Sequence, residues 1–329
     1  MSSGLHAPEV LLVTHSGDFY NVDRVAEELA RRGAKARRLN SDLFPTETRL
    51  GIQLDQKGAR PFLILPDGTS CDPERVVGVW MRKIFPARLP ADVDPRLAPG
   101  CQAQSRSTLS GFWDALSHAR FIDPPAAVSE AEEKIRQMRL AAACGLTIPR
   151  TVVTNDPEAV RRLHEECGGR IVTKLLNPLS YSMGKAPLFV HTSAVTDEDL
   201  EDLGGLSLSP MIFQERIDKE LELRVAYVGG RCFAGGIDAQ ESATGQVDWR
   251  LAGVNECPWQ PAQLPESVRQ QLSRLMDALG LCFGAVDFIR TPAGEHVFLE
   301  VNPAGEWGML EMFLGLPISA AIAEELLRP

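Results

Sequence analysis

Short apolar runs alternate with amphipathic stretches in the first part of the chain, which predicts a β-α-β opening. Val10 to Thr14 reads as a buried strand, and Asn21 to Arg32 carries the three-to-four-residue apolar spacing of a helix that Gly33 stops. Ala36 to Leu39 reads as a second strand. The stretch RPFLILPDGTSCD reads as a hairpin turning at Asp67-Gly68, and Val76 to Met81 as another buried strand running into Trp80-Met81-Arg82-Lys83. A Pro-rich irregular segment is expected from Ile84 to Gly100, then a helix from Ser105 to Leu116, and FIDPP marks a boundary.

The pattern restarts near Ser129. Ser129 and Glu132 match the S-x-x-E capping box, and Gly145 follows the predicted helix, which carries Lys134. IPRTVVT reads as a strand, Pro157 to Glu166 as a helix, and RIVTKLL as a strand bearing Lys174. NPLSYSMGKAP is rich in turn formers, and the acidic stretch from Thr196 to Leu203 reads as a short capped helix. MIFQERI is a strand, LELRVAYVGGRCFAGGID two strands around Gly229-Gly230, and SVRQQLSRLMDALGL an amphipathic helix ending at Gly280. FGAVDFIR and HVFLEVNP form the last hairpin, joined by TPAGE. These breaks divide the chain into units 1–125, 126–205 and 206–329.

Composition narrows the class. The chain has 329 residues, 44% hydrophobic and 24% charged, as expected of a globular protein with a large core. No run approaches ~18 apolar residues, so no membrane span is expected, and the N-terminus lacks a signal-peptide pattern, which suggests the cytoplasm. The seven Cys are widely spaced without a CxxC and read as reduced thiols, while the six His form no HExxH. The net charge of −10 argues against nucleic acid as a partner and is compatible with a basic peptide. The turn HSGDFYN after the first strand has no GxGxxG, so dinucleotide binding is not inferred there.

The candidate chemistry lies at the C-terminal end. In FLEVNPAGEW, Glu300 and Asn302 share one face of a strand, just before Pro303 to Gly305 force a turn. If Asp287 pairs across from Glu300, three polar groups gather there, while Val286, Phe288, Leu299 and Val301 bury on the other face. Gathered carboxylates repel unless a cation sits between them. An all-oxygen set without His or Cys fits Mg²⁺ or Mn²⁺ better than zinc. A solvated edge hairpin is the competing reading. Arg224 and Lys174 are charges at strand positions among apolar neighbours and need partners. Polyphosphate would supply them. Lys134 alone is as readily an ordinary surface residue.

Lys134, Lys174, QERI, LELR, VDFIR and FLEVNP, in this order, resemble an ATP-grasp ligase. VGVWMRKIF, IDAQ, DWR and FLEVNPAGEW are similar to the branch of microviridin-type ribosomal peptide maturases, the graspetide synthetases. The resemblance implies an α/β fold: an ATP-grasp clamp preceded by a Rossmann-like pre-ATP-grasp domain. It implies that Lys134 and Lys174 hold ATP phosphates, and that Gln214, Glu215 and the backbone near Ile217 bind adenine, with Glu222 near the ribose. Arg224 would face the γ-phosphate or an acyl phosphate, Asp287, Glu300 and Asn302 would bind Mg²⁺, and Asp248 and Arg250 would sit near the acceptor. The loop from Tyr181 to Lys185 would cover the phosphates.

The implied activity is ATP-dependent macrocyclisation of a ribosomally made precursor peptide, leader plus core. Asp or Glu side chains become acyl phosphates that Ser or Thr hydroxyls, or Lys amines, displace. The acids Asp197, Glu198, Asp199 and Asp202 would meet a basic leader, and relatives suggest a homodimer. The alternatives are an ATP-grasp ligase joining two separate substrates, RimK-like or glutathione-synthetase-like, and a non-catalytic nucleotide-binding protein. The apparently complete set of ATP-site residues argues against the last.

Overall fold

β1 (Glu9–Thr14) is buried along its whole length, as an unbroken apolar run requires of a central parallel strand. The computed structural model describes residues 7–176, 192–238 and 259–329. α1 (Tyr20–Arg31) buries Val22, Val25 and Leu29, and Gly33 turns the chain with a left-handed φ of 76°. β2 (Lys35–Asn40) runs parallel to β1. β3 (Arg49–Asp55), β4 (Gly58–Ile64) and β5 (Ser70–Cys71) make a separate antiparallel sheet. The hairpin at Asp67-Gly68 is as expected. β3 is an unpredicted addition, although Leu50, Ile52 and Leu54 alternate in it with polar residues and glycine.

β6 (Val76–Met81), α2 (Ala98–Ala115) and β7 (Arg120–Ile122) complete a parallel sheet ordered β2-β1-β6-β7. α2 starts at Ala98 and not at Ser105, because Pro99 is tolerated in a first turn, where its missing N–H is not needed. α3 (Pro125–Ala131) precedes α4 (Lys134–Ala143). The capping box of Ser129 and Glu132 does not form: Ser129 lies inside α3, whose start is set by Pro125, and α4 begins at Lys134.

β8 (Thr151–Thr154), α5 (Pro157–Glu166), β9 (Ile171–Lys174), β10 (Ser193–Ala194) and β11 (Met211–Glu215) build the central unit, with strand order β10-β9-β11-β8. A break at 205/206 leaves β11 with the C-terminal unit, whereas its hydrogen bonds lie with β8 and β9. The acidic stretch is a turn, not a helix. Leu200 N donates to Asp197 O at 3.2 Å and Glu201 N to Glu198 O at 3.1 Å, and no α-helical ladder follows.

β12 (Leu221–Val228), β13 (Arg231–Ile237), β14 (Gln260–Ala262), β15 (Phe283–Arg290) and β16 (His296–Asn302) form an antiparallel sheet ordered β14-β13-β12-β15-β16. α6 (Glu266–Leu279) lies between β14 and β15, and α7 (Gly308–Leu314) and α8 (Ile318–Leu326) follow β16. One sheet face buries Leu223, Val225, Val286, Phe288 and Val301 against α4 and α6. On the opposite face Ala226, Val228 and Phe283 join Val10, Leu12, Trp80 and the α8 residues Ile318 and Ile322 in a single core. The N-terminal unit and the C-terminal sheet therefore share buried apolar surface. Among the described residues no helix is long and apolar enough to cross a membrane. The described cysteines, Cys71, Cys101, Cys144, Cys167, Cys232 and Cys282, are free thiols.

Candidate active site

Strand register brings the predicted charges into one row. Arg224 of β12 pairs with Asp287 of β15, and Asp287 pairs with Glu300 of β16. Adjacent strands lie about 4.8 Å apart, so the three residues are lateral neighbours on one sheet face. Lys134, the first residue of α4, reaches Glu300 with Nζ 3.3 Å from Oε2. The row thus carries two anions flanked by two cations.

Burial makes this order necessary. Arg224 and Asp287 are 7% and 8% exposed, and Arg224 Nη1 donates to Asp287 Oδ1 at 2.6 Å. Either ion alone at that depth would be strongly unfavourable. Arg224 Nε also donates to the carbonyl of Glu306 at 3.1 Å, which ties the row to the turn after β16.

The parity of β16 depends on a bulge. The ladder shifts by one residue between Asp287 and Phe288, so Phe288 faces Phe298 and Leu299 is the extra residue. Phe298 takes the core position, edge-on to Phe288 with ring centroids 5.7 Å apart. Leu299, expected to bury, is only half-buried for this reason. Val286, Phe288 and Val301 are buried as expected.

Asn302 pairs with Ala285, and its side chain is exposed. Its Oδ1 accepts from Ala304 N at 3.0 Å, which shapes the turn through Pro303. Gly305 is required by close approach: a Cβ there would lie 2.4 Å from Ala285 Cβ and 3.1 Å from Arg224 Nη2.

α4 is locked to β16 by Gln137, a residue the sequence reading did not single out. Its Nε2 donates to Val301 O at 2.7 Å, and its Oε1 accepts from Val301 N at 2.8 Å. The buried amide thereby occupies the free edge of β16. Lys134 lies three residues earlier on the same helix face, so this lock also sets its approach to Glu300.

The remaining candidates lie on the central unit and its junction. Lys174 ends β9 opposite Ile212 of β11. Gln214 is buried, and its Nε2 donates to Thr151 Oγ1 at 3.0 Å. Glu215, at the end of β11, is joined to Arg150 by the bond from its own N–H to the Arg150 carbonyl, 2.8 Å. Ile217 is half-buried in the link between β11 and β12. Glu222 lies on the same β12 face as Arg224 and forms an ion pair with Lys219. Asp197, Glu198, Asp199 and Asp202 are exposed. Asp199 exchanges hydrogen bonds with Thr196, and Asp202 accepts from Gly204 N at 3.1 Å. Asp248, Arg250 and the loop from Tyr181 to Lys185 lie outside the described residues.

A second cluster meets the turn from the N-terminal unit; the sequence reading held Arg82 and Lys83 in VGVWMRKIF and Glu306 in FLEVNPAGEW but gave them no role. Arg82, at the carboxyl end of β6, has a side chain of 0% exposure, donates to the carbonyl of Gly305 at 3.2 Å and to that of Ala304, and binds Glu306 Oε2 at 2.7 Å. Lys83 pairs with Glu306 Oε1, and Asn21 Nδ2 donates to Glu306 Oε2 at 2.8 Å. Partial burial pushes the Glu306 carboxyl up, but Arg82 and Lys83 outweigh it and hold it below the ordinary carboxylate value. A signal was present: an arginine directly after a buried strand needs a partner, by the reasoning applied to Arg224.

All-oxygen donors at Asp287, Glu300 and Asn302 fit a magnesium site better than a zinc site. Among the described residues no group of three or more His, Cys, Asp or Glu gathers to hold a metal. A site of two carboxylates and an amide is the kind that leaves positions for phosphate and water, as Mg²⁺ prefers.

Residues 9–129 match the family model of the MvdD pre-ATP grasp domain. The macrocyclase MdnB from Microcystis aeruginosa MRC superposes with a TM-score of 0.83 at 45% identity, over 98% of this chain and 100% of that one. MdnC of the same organism, solved with precursor peptide MdnA, gives a TM-score of 0.86 at 35% identity, over 97% and 99%. The Chryseobacterium gregarium RiPP-associated ATP-grasp ligase, in complex with ADP and a leader and core peptide, gives 0.90 at 29% identity, over 97% and 96%. A curated relative, the probable alpha-L-glutamate ligase of Psychromonas ingrahamii, is 24% identical over 62% of this chain and 66% of its own length, so the match spans just under two thirds of that protein. The fold and the charged row define an ATP-grasp ligase. Within that class the chain belongs to the microviridin-type macrocyclases, the graspetide synthetases.

Proposed function

We propose that the chain uses ATP and Mg²⁺ to activate Asp or Glu side chains of a ribosomally made precursor peptide as acyl phosphates. Ser or Thr hydroxyls, or Lys amines, of the same peptide then displace phosphate and close rings. The observation that carries this reading is the row Arg224, Asp287, Glu300 and Lys134, two carboxylates between two cations on paired strands. MdnC binds a precursor peptide, and the Chryseobacterium gregarium ligase binds ADP with a leader and core peptide, which supports nucleotide and peptide as the two substrates.

Asp287, Glu300 and Asn302 would hold the metal, which when bound supplies Lewis-acid stabilisation of charge on the transferring phosphoryl group. Lys134 and Lys174 would bind phosphate oxygens. Arg224, already oriented by Asp287 and the Glu306 carbonyl, would donate to the γ-phosphate and then to the acyl phosphate. Glu215 and the backbone near Ile217, with Gln214 packed behind, would take adenine, and Glu222 the ribose. Asp248 and Arg250 would serve the acceptor.

In the same reading the exposed acids Asp197 and Glu198 meet a basic leader segment by charge complementarity, whereas Asp199 and Asp202 also serve their own turn. A homodimer and a cytoplasmic setting belong to this reading as well.

The test is mass spectrometry of a candidate precursor peptide after incubation with enzyme, ATP and Mg²⁺. Loss of ~18 Da per ring with ADP formed is the expected result, since intramolecular condensation through an activated carboxylate expels one water overall. A mass gain would indicate ligation of a second substrate and overturn the macrocyclase reading. Reversing Asp197 and Glu198 to Lys should weaken binding of that peptide; unchanged affinity removes them from the leader site.

A further inference from the structure

We infer that Arg82 is a positioning residue for the ligase chemistry, acting from the N-terminal unit through the Ala304–Glu306 turn on Arg224. The inference rests on the reading of Arg224 and Asp287 as reaction-site residues.

Two guanidinium groups grip the same turn. Arg224 Nε donates to the Glu306 carbonyl at 3.1 Å, from the sheet. Arg82 donates to the carbonyls of Ala304 and Gly305 and to the Glu306 carboxylate, from β6. Asn21 and Lys83 add donors to that carboxylate, so the N-terminal unit holds both the backbone and the side chain of the turn. Arg82 is braced behind by Asp18, whose Oδ2 lies 3.6 Å from its Nε and accepts from Thr14 Oγ1 at 2.6 Å.

A stability role alone does not account for this choice. A buried arginine has a large desolvation cost, and packed apolar groups hold an interface at least as well. What a fork of fixed donors adds is position: it sets the turn carbonyls within a narrow range of distance and angle. The turn has little freedom to adjust, because Gly305 already lies against Ala285 and the Arg224 guanidinium. A shift of the turn therefore becomes a shift of the Arg224 donors. Displacements near 1 Å in such groups can cost about 100-fold in rate.

The test uses the full chain with Arg82→Lys, which keeps charge but not the fork. Hydrogen exchange is read first and needs no substrate. Amides 304–308 should exchange about tenfold faster or more, while β12 and β15 keep their protection. Unchanged protection of the turn, or an equal loss everywhere, overturns the inference.

ADP release with ATP, Mg²⁺ and a precursor peptide that the wild-type enzyme cyclises is read second. kcat should fall about 100-fold, with the KM for ATP within about threefold of wild type. In an Arg224→Lys background the Arg82→Lys change should cost little more, because both act through one group. Losses that multiply overturn the inference alone. Full activity of Arg224→Lys by itself overturns the site reading, and the inference with it. Should Arg82→Lys fail to fold, Asn21→Ala removes one donor to Glu306 and should raise exchange at the same amides; no change there also overturns the inference.

Discussion

Glu300 is the more exposed anion of the charged row, and its partner Lys134 comes from a helix outside the sheet. Its side chain and that of Lys134 are 23% and 24% exposed, so their attraction is partly screened. Removing the charge should therefore matter more to chemistry than to folding. Glu300→Gln is expected to lower kcat for ADP release by about 100-fold or more through loss of a metal ligand, with little change in melting temperature. Undiminished turnover would exclude Glu300 as a ligand. At this scale much was legible. Asp287, Glu300 and Arg224 stood out because charges at strand positions among apolar residues require partners. Arg82 carries the same mark, yet the turn it hydrogen-bonds lies more than 200 residues away, and nothing in the local sequence of β6 points to it.

Elements were legible where apolar period and turn formers agreed. β1, α5, β12 and the last hairpin lie where the pattern placed them. The start of α4 was misread, since Ser129 and Glu132 satisfy a capping pattern that Pro125 pre-empts by beginning α3 earlier. The contact of α4 with β16 was not legible, because a single glutamine carries it through backbone groups of Val301. Gln137→Leu leaves that N–H and C=O buried without partners, and should lower stability by about 2–4 kcal/mol in urea denaturation. Because Lys134 rides on the same helix, the variant should also weaken ATP binding under native conditions. A loss of stability below about 0.5 kcal/mol would show that Gln137 does not lock the strand.

Across the whole molecule, a buried carboxylate joins the N-terminal unit to the C-terminal sheet. Asp123, just after β7, accepts from the N–H groups of Cys282 and Phe283 at 2.7 and 3.0 Å, at the start of β15. Burial pushes this carboxyl up to about 7, against the pull of those donors and of Arg120. The folded protein thus holds the proton more tightly than the unfolded chain, whose ordinary value is 3.8. The resulting stabilisation is full below the unfolded value and is lost as pH rises through about 7. Asn cannot titrate, so the melting temperature of wild type relative to Asp123→Asn should fall between about pH 5 and about pH 8. A constant difference across that range would show that Asp123 keeps one protonation state.

The extra residue at Leu299 has a consequence for how this hairpin can change over evolutionary time. It divides β16 into two reading phases, one keyed to the hydrophobic interior through Phe298 and one keyed to the reaction face through Glu300 and Asn302. Point substitutions on either side can be selected independently. Deletion of Leu299 itself would keep both phases, because Phe298 and Glu300 would then be consecutive, and consecutive residues of an unbroken strand point to opposite faces. Leu299, the least buried apolar residue of the strand, is therefore a position where length can change without exchanging the interior and reaction faces.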